Sequence, residues 1–230
     1  YDISMTEPYF YNKDLSVRGD LYSKLSDPES VNYETETVGV GLSLAFPLSN
    51  ANRITTKYSL LTSKTTADSD ATAYEKLLSV TSTVSMAGYI LSLDNRNSPY
   101  KPTDGSILTL EQNLAGIGGT SNYLENKITY KRYHKLNNTF TAAIKTQLGS
   151  INGYNGKYAP VDRLFNIGGK NLRGFKYGKI GPLLSSSYTG GNYYYVIATE
   201  TNFDLPIDEY DISSSLFLDV GSVWGLDSRY

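Results

Sequence analysis

No cysteine occurs anywhere in the 230 residues, so neither a disulfide framework nor a thiolate metal site can be built. Histidine occurs once, at position 134, which leaves zinc ligation and histidine-based catalysis with a single group to share. Charge of one sign is lacking: 21 Lys and Arg face 23 Asp and Glu, for a net charge of −2. No basic stripe is present, and nucleic acid is excluded as a natural partner. Long apolar runs are missing too. No stretch approaches the roughly 18 apolar residues of a membrane helix. The chain begins at Tyr1 with no charged, apolar leader, so the expectation is that a secretory signal was removed or never belonged to this segment.

What is abundant is tyrosine, 21 residues against seven Phe and one Trp. Tyr joins an apolar ring to a polar tip, which suits strand faces and membrane–water boundaries. Composition alone leaves two readings open, a membrane β-barrel and a soluble Tyr-rich sandwich. The low mean hydropathy is compatible with both, because a barrel strand alternates lipid-facing and lumen-facing residues.

Period-2 patterns separated by Gly, Asn, Asp, Ser and Pro clusters predict ten strands, near 1–10, 14–24, 33–46, 52–63, 76–93, 105–115, 121–136, 138–149, 192–205 and 212–224. Several exceed the soluble norm of about five or six residues, as membrane strands of about 9–11 residues would. Tight connections at Tyr11-Asn12-Lys13, Leu48-Ser49-Asn50-Ala51 and Asn137-Asn138 alternate with long polar ones at 25–32, 64–75 and 150–191. Short periplasmic turns and longer external loops produce that pattern. Ser185-Ser186-Ser187 reads as a solvated loop tip. On the last strand Leu216, Leu218 and Val220 share one face and Phe217, Asp219 and Gly221 the other; on the strand before it, Glu200 shares a face with Tyr194, Val196, Ala198 and Asn202. A carboxylate in lipid is costly, so Glu200 and Asp219 are expected to face a lumen.

The run Asn166-Ile167-Gly168-Gly169-Lys170-Asn171-Leu172-Arg173-Gly174-Phe175, continued by Tyr177-Gly178-Lys179-Ile180-Gly181-Pro182, reads as a shaped loop. Thr6-Glu7-Pro8-Tyr9-Phe10 closes the first strand, and Phe217-Leu218-Asp219-Val220-Gly221-Ser222-Val223-Trp224 forms the last. Between them Asp94, Arg96, Pro99, Pro102 and Gly105 mark a structural turn. In this order the four segments resemble the BamA family of outer-membrane barrel-assembly insertases, also called bacterial surface antigens, along essentially the whole chain.

The resemblance implies an all-β fold, with about ten strands, four to thirteen, of a sixteen-strand antiparallel transmembrane barrel, so that residues 1–230 are one barrel fragment. The family's POTRA domains, first and last strands and gate lie outside this matching. It further implies that loop 150–191 folds into the lumen, so that Arg173 meets Glu200 and Asp219 as a loop lock, shaped by Gly168, Gly169 and Gly174 and anchored by Phe175. The implied function is insertion of barrel proteins into the bacterial outer membrane, with unfolded β-barrel clients, periplasmic accessory lipoproteins and outer-membrane lipids as partners, no cofactor and no catalysis. A translocation pore of the same superfamily, either a two-partner secretion transporter or an autotransporter-assembly relative, is the alternative. For Arg173 the plain alternative is an exposed ion pair worth about 0–1 kcal/mol.

A barrel enzyme acting on lipid would have to use His134, but no G-x-S-x-G elbow accompanies it. Gly116-Ile117-Gly118-Gly119 lacks the helix a phosphate cradle needs and reads as a hairpin turn.

Overall fold

The computed structural model describes residues 1–26, 33–184, 187–205 and 212–226. The strands are β1 (Asp2–Glu7), β2 (Ser16–Ser26), β3 (Tyr33–Pro47), β4 (Arg53–Ala67), β5 (Thr81–Asp94), β6 (Gly105–Gly119), β7 (Tyr123–Lys135), β8 (Phe140–Gly153), β9 (Leu183–Leu184), β10 (Ser187–Tyr188), β11 (Tyr193–Leu205) and β12 (Ile212–Trp224), with one helix, α1 (Ala73–Leu78). Ten of the strands form one antiparallel sheet in the order β1-β2-β3-β4-β5-β6-β7-β8-β11-β12, a partial barrel wall left open at β1 and β12 among the described residues. Strands β9 and β10 pair separately within the long loop, residues 154–192.

Register separates two faces. One rung carries Ile3, Leu21, Val40 and Leu60 across β1 to β4, all exposed. On β12, Leu216, Leu218 and Val220 are likewise exposed on this outer face. The inner face carries Asp20, Lys57, Glu111, Glu125, Lys127, Lys131, Lys145, Glu200 and Asp219. Charges on the outer face, such as Glu7, Glu34, Glu36, Lys64, Arg132 and His134, lie toward strand ends. Strict period 2 is what allows one strand to serve two media.

The core lies between the inner face and the long loop. One cluster joins Leu61, Val84, Ala115, Tyr123 and Ile151 of the wall to Ala159, Leu164 and Phe165 of the loop. A second joins Val196 and Val223 of the wall to Ile167 and Leu172. The loop is pinched at its base, where Phe165 and Gly191 exchange backbone hydrogen bonds of 2.9 and 3.0 Å.

Several expectations need correction. The first strand stops at Glu7, because Pro8 has no N–H to donate and the chain turns into a short 3₁₀ segment, Phe10–Asn12, with Tyr11 and Asn12 at positive φ. Residues 76–93 are not one strand. A capping box, in which the Glu75 amide donates to the Thr72 hydroxyl and the Thr72 amide to the Glu75 carboxylate, starts α1, and β5 begins only at Thr81. The glycines at 116–119 belong to the end of β6, where a register shift against β5 takes up their positive φ; the turn itself is Thr120–Asn122. Short and long connections therefore alternate less cleanly than expected. Ser187 is in β10 and half-buried, while Ser185 and Ser186 lie outside the described residues.

The turn from Asp94 to Gly105 is held internally. Arg96 donates from its Nε to Asp94 Oδ1 (2.9 Å) and from Nη2 to Oδ2 (2.6 Å), and reaches the Pro99 carbonyl at 3.4 Å. Gly105 sits at φ 97°, where a Cβ would strike the backbone of Asn95 and Arg96. Gly105→Ala is expected to destabilise the full-length protein by more than about 1 kcal/mol, read as a lowered urea midpoint; an unchanged midpoint would refute this account of the turn.

Candidate functional site

The site forms where the long loop crosses β11 and β12. Antiparallel register sets Glu200 opposite Phe217 and Ala198 opposite Asp219, which puts both acids on the inner face one rung apart. Arg173 meets them from the loop. Its Nε and Nη2 donate to the two oxygens of Asp219 at 2.8 and 2.7 Å, and its Nη1 donates to Glu200 Oε2 at 2.6 Å. The Arg173 backbone amide adds a fourth bond, to Asp219 Oδ2 at 2.9 Å. The guanidinium carbon lies 3.7 Å from the centroid of the Phe217 ring. The fork of a guanidinium fits a carboxylate with two parallel bonds and still has a nitrogen for a second acid, which an ammonium cannot reproduce.

Burial makes the contact consequential. The Asp219 side chain is 3% exposed, against 30% for Arg173 and Glu200. An ionised carboxylate so enclosed would be costly without its partner. The hydrogen bonds to Asp219 first, and then those to Glu200, push the Arg173 pKa above its already high ordinary value, so the cation persists at any working pH.

The loop's own bonds present Arg173. The Gly169 amide donates to the Phe175 carbonyl (2.7 Å), the Asn171 amide to Gly168 (3.2 Å) and the Gly178 amide to Ile167 (3.0 Å). Gly168 stands at φ 121° hard against the backbone of Lys176 and Tyr177, so no side chain fits there. Gly169 and Gly174 also have positive φ; a Cβ on Gly169 would make only an ordinary contact with Tyr177, and Gly174 has open space around it. Phe175 does not anchor the loop: it is 55% exposed. Leu172 does, at 2% exposure, because it points to the wall where Gly221 leaves a gap; a Cβ on Gly221 would stand 3.2 Å from a Leu172 methyl.

A polar ladder farther along the inner face escaped the sequence reading. Lys57 on β4 pairs with Glu111 on β6, Asn113 donates to Glu111 (3.1 Å) and Glu125 (2.7 Å), and Lys127 pairs with Glu125 at 2.7 Å. The signal was there in period 2, since each residue has inner-face parity, but only register shows that the ladder spans strands. The remaining sequence candidates lie apart from the site. Asp94, Arg96, Pro99, Pro102 and Gly105 close the turn between β5 and β6. His134 is 67% exposed near the end of β7, with its Nδ1 3.8 Å from Asp104.

The Omp85 superfamily domain matches residues 1–230. The outer membrane protein assembly factor BamA of Neisseria meningitidis is 26% identical over 96% of this chain. A sorting and assembly machinery component 50 homologue of Xenopus laevis is 27% identical over 53% of the chain, and a SAM50-like protein of Schizosaccharomyces pombe 27% over 61%. The chain spans only 31%, 26% and 31% of the lengths of these three relatives. In structure it is similar to BamA of Haemophilus ducreyi lacking POTRA domains 1–3, with a TM-score of 0.86 over 97% of this chain and 49% of that one at 24% identity; this likeness establishes the fold.

Two truncations separate anchor from bystander. Leu172→Ala is expected to cost about 2–5 kcal/mol through the cavity it leaves and to speed proteolysis within the loop. Phe175→Ala is expected to stay within about 0.5 kcal/mol. Limited proteolysis with a urea titration checks both, and the reverse ranking would refute the assignment of the anchor.

Proposed function

The chain belongs to the Omp85 superfamily, and from that premise we propose that it is barrel wall from an assembly factor that folds and inserts β-barrel proteins into the bacterial outer membrane. The relatives support the assembly class, since BamA and the SAM50 proteins share the similarity. The bacterial membrane is favoured because the Neisseria relative aligns with 96% of the chain and the Xenopus and Schizosaccharomyces relatives with 53% and 61%. On this reading the clients are unfolded outer-membrane β-barrel chains, and accessory lipoproteins and outer-membrane lipids are partners. The task is non-enzymatic and needs no cofactor.

Dimensions support a membrane location. On the outer face of β11, Tyr193 and Tyr195 pack with Trp224 at one end, and Phe203 packs with Phe140 at the other. From Tyr193 to Phe203 the strand covers about 33 Å at roughly 3.3 Å per residue. Tilted by about 40°, that becomes about 25 Å, the height of the apolar band of an outer-membrane barrel between its aromatic girdles.

The observation that carries the proposal is the Arg173 fork on Glu200 and Asp219, made by a loop that packs on the inner face of a wall whose outer face is apolar. Such a latch would fix the loop against two adjacent strands and set the curvature of the wall. Arg173→Glu would place three acids together and leave Asp219 without its cation. In the full-length protein this variant is expected to lose complementation of a depleted strain and to lose acceleration of client folding into liposomes. Arg173→Lys, which keeps the charge but not the fork, is expected to fall between. Wild-type rates for Arg173→Glu would refute the latch, and no acceleration by the wild type would refute the assembly role.

A further inference from the structure

Beside the latch the wall is over-supplied with positive charge. Antiparallel register sets Lys131 on β7 directly opposite Lys145 on β8, Lys145 opposite Ala198, and Ala198 opposite Asp219, so one inner-face rung runs cation, cation, alanine, acid. A cavity of about 270 Å³ opens there. Its floor is Ala143 and Ala198, which carry nothing beyond Cβ to fill it, and the loop contributes Lys170 and Asn171 at its edge. Four cations, Lys131, Lys145, Lys170 and Arg173, face two carboxylates in this space, an excess of two positive charges. The carboxylates are both engaged by Arg173. Among the described residues neither Lys131 nor Lys145 nor Lys170 lies within ion-pairing distance of an acid.

Like charges directly opposite one another across two strands are destabilising. An excess of two positive charges around one cavity suits a dianion. We infer that this cavity binds a phosphate-class oxyanion, held between the Lys131 and Lys145 ammonium groups, with the side-chain amide of Asn171 within the same lining. Lysine serves as a point charge for phosphate, and two opposed lysines fit a tetrahedral group with oxygens on several sides better than a planar carboxylate. The phosphate belongs either to a free ion entering from the lumen or to a lipid headgroup. The inference rests on the inner-face geometry and not on the assembly activity.

The test uses the full-length protein in neutral detergent at low salt. Inorganic phosphate and, separately, phosphatidic acid in micelles are titrated by calorimetry, with client folding rates measured in parallel. Saturable binding is expected, about tenfold weaker in Lys131→Gln or Lys145→Gln and about a hundredfold weaker in the pair, one charged hydrogen bond being worth roughly a factor of ten or more. Lys64→Gln, on the outer face of β4, is expected to bind as the wild type does. Binding of inorganic phosphate identifies the free ion, and binding of phosphatidic acid alone identifies the headgroup; either supports the site if it depends on the two lysines. If the double Gln variant fails to fold, the single variants and the paired Lys→Arg variant, expected to retain binding, carry the comparison. Absence of saturable binding by the wild type to both probes, or binding indifferent to Lys131 and Lys145, overturns the inference whatever the client folding rates are.

Discussion

A carboxylate that water scarcely reaches must be given a cation, and in this structure the cation comes from 46 residues away in sequence. Asp219 accepts three hydrogen bonds from Arg173, two from the guanidinium and one from the backbone amide. The other arm of the guanidinium reaches the neighbouring strand through Glu200. Removing one member of a buried pair leaves an uncompensated charge, which costs about 3–5 kcal/mol. The seating of the loop and the packing of Leu172 under Gly221 are therefore tied to one contact.

The wall itself obeys a second constraint. A strand with lipid on one side and a polar interior on the other can hold charge on one parity only, except toward its ends. The outer rung Ile3, Leu21, Val40 and Leu60 and the inner ladder Lys57, Glu111, Asn113, Glu125 and Lys127 express the same rule from opposite sides. Apolar packing has been moved inward as well. The two buried clusters lie between wall and loop, so the loop does for this wall what a second sheet does for a sandwich. The basic rung beside Arg173 departs from this balance, as among the described residues its lysines form no ion pair and the two acids of the cavity are taken by Arg173.

Local alternation of apolar and polar residues determined the ten wall strands and the face that Glu200 and Asp219 occupy, because period 2 is a property of the extended backbone and needs no partner to be read. Short-range chemistry that competes with alternation was legible too but was outweighed by strand length, as with the Thr72–Glu75 capping box that starts α1. Only the tertiary structure decided which loop residue is buried. Phe175 is the larger apolar side chain, yet Leu172 takes the place under Gly221, since burial depends on where the loop meets the wall and not on hydrophobicity. Register across strands likewise placed Lys131 against Lys145 and joined Lys57 to Glu111, pairings between residues 14 and 54 positions apart that no local pattern contains.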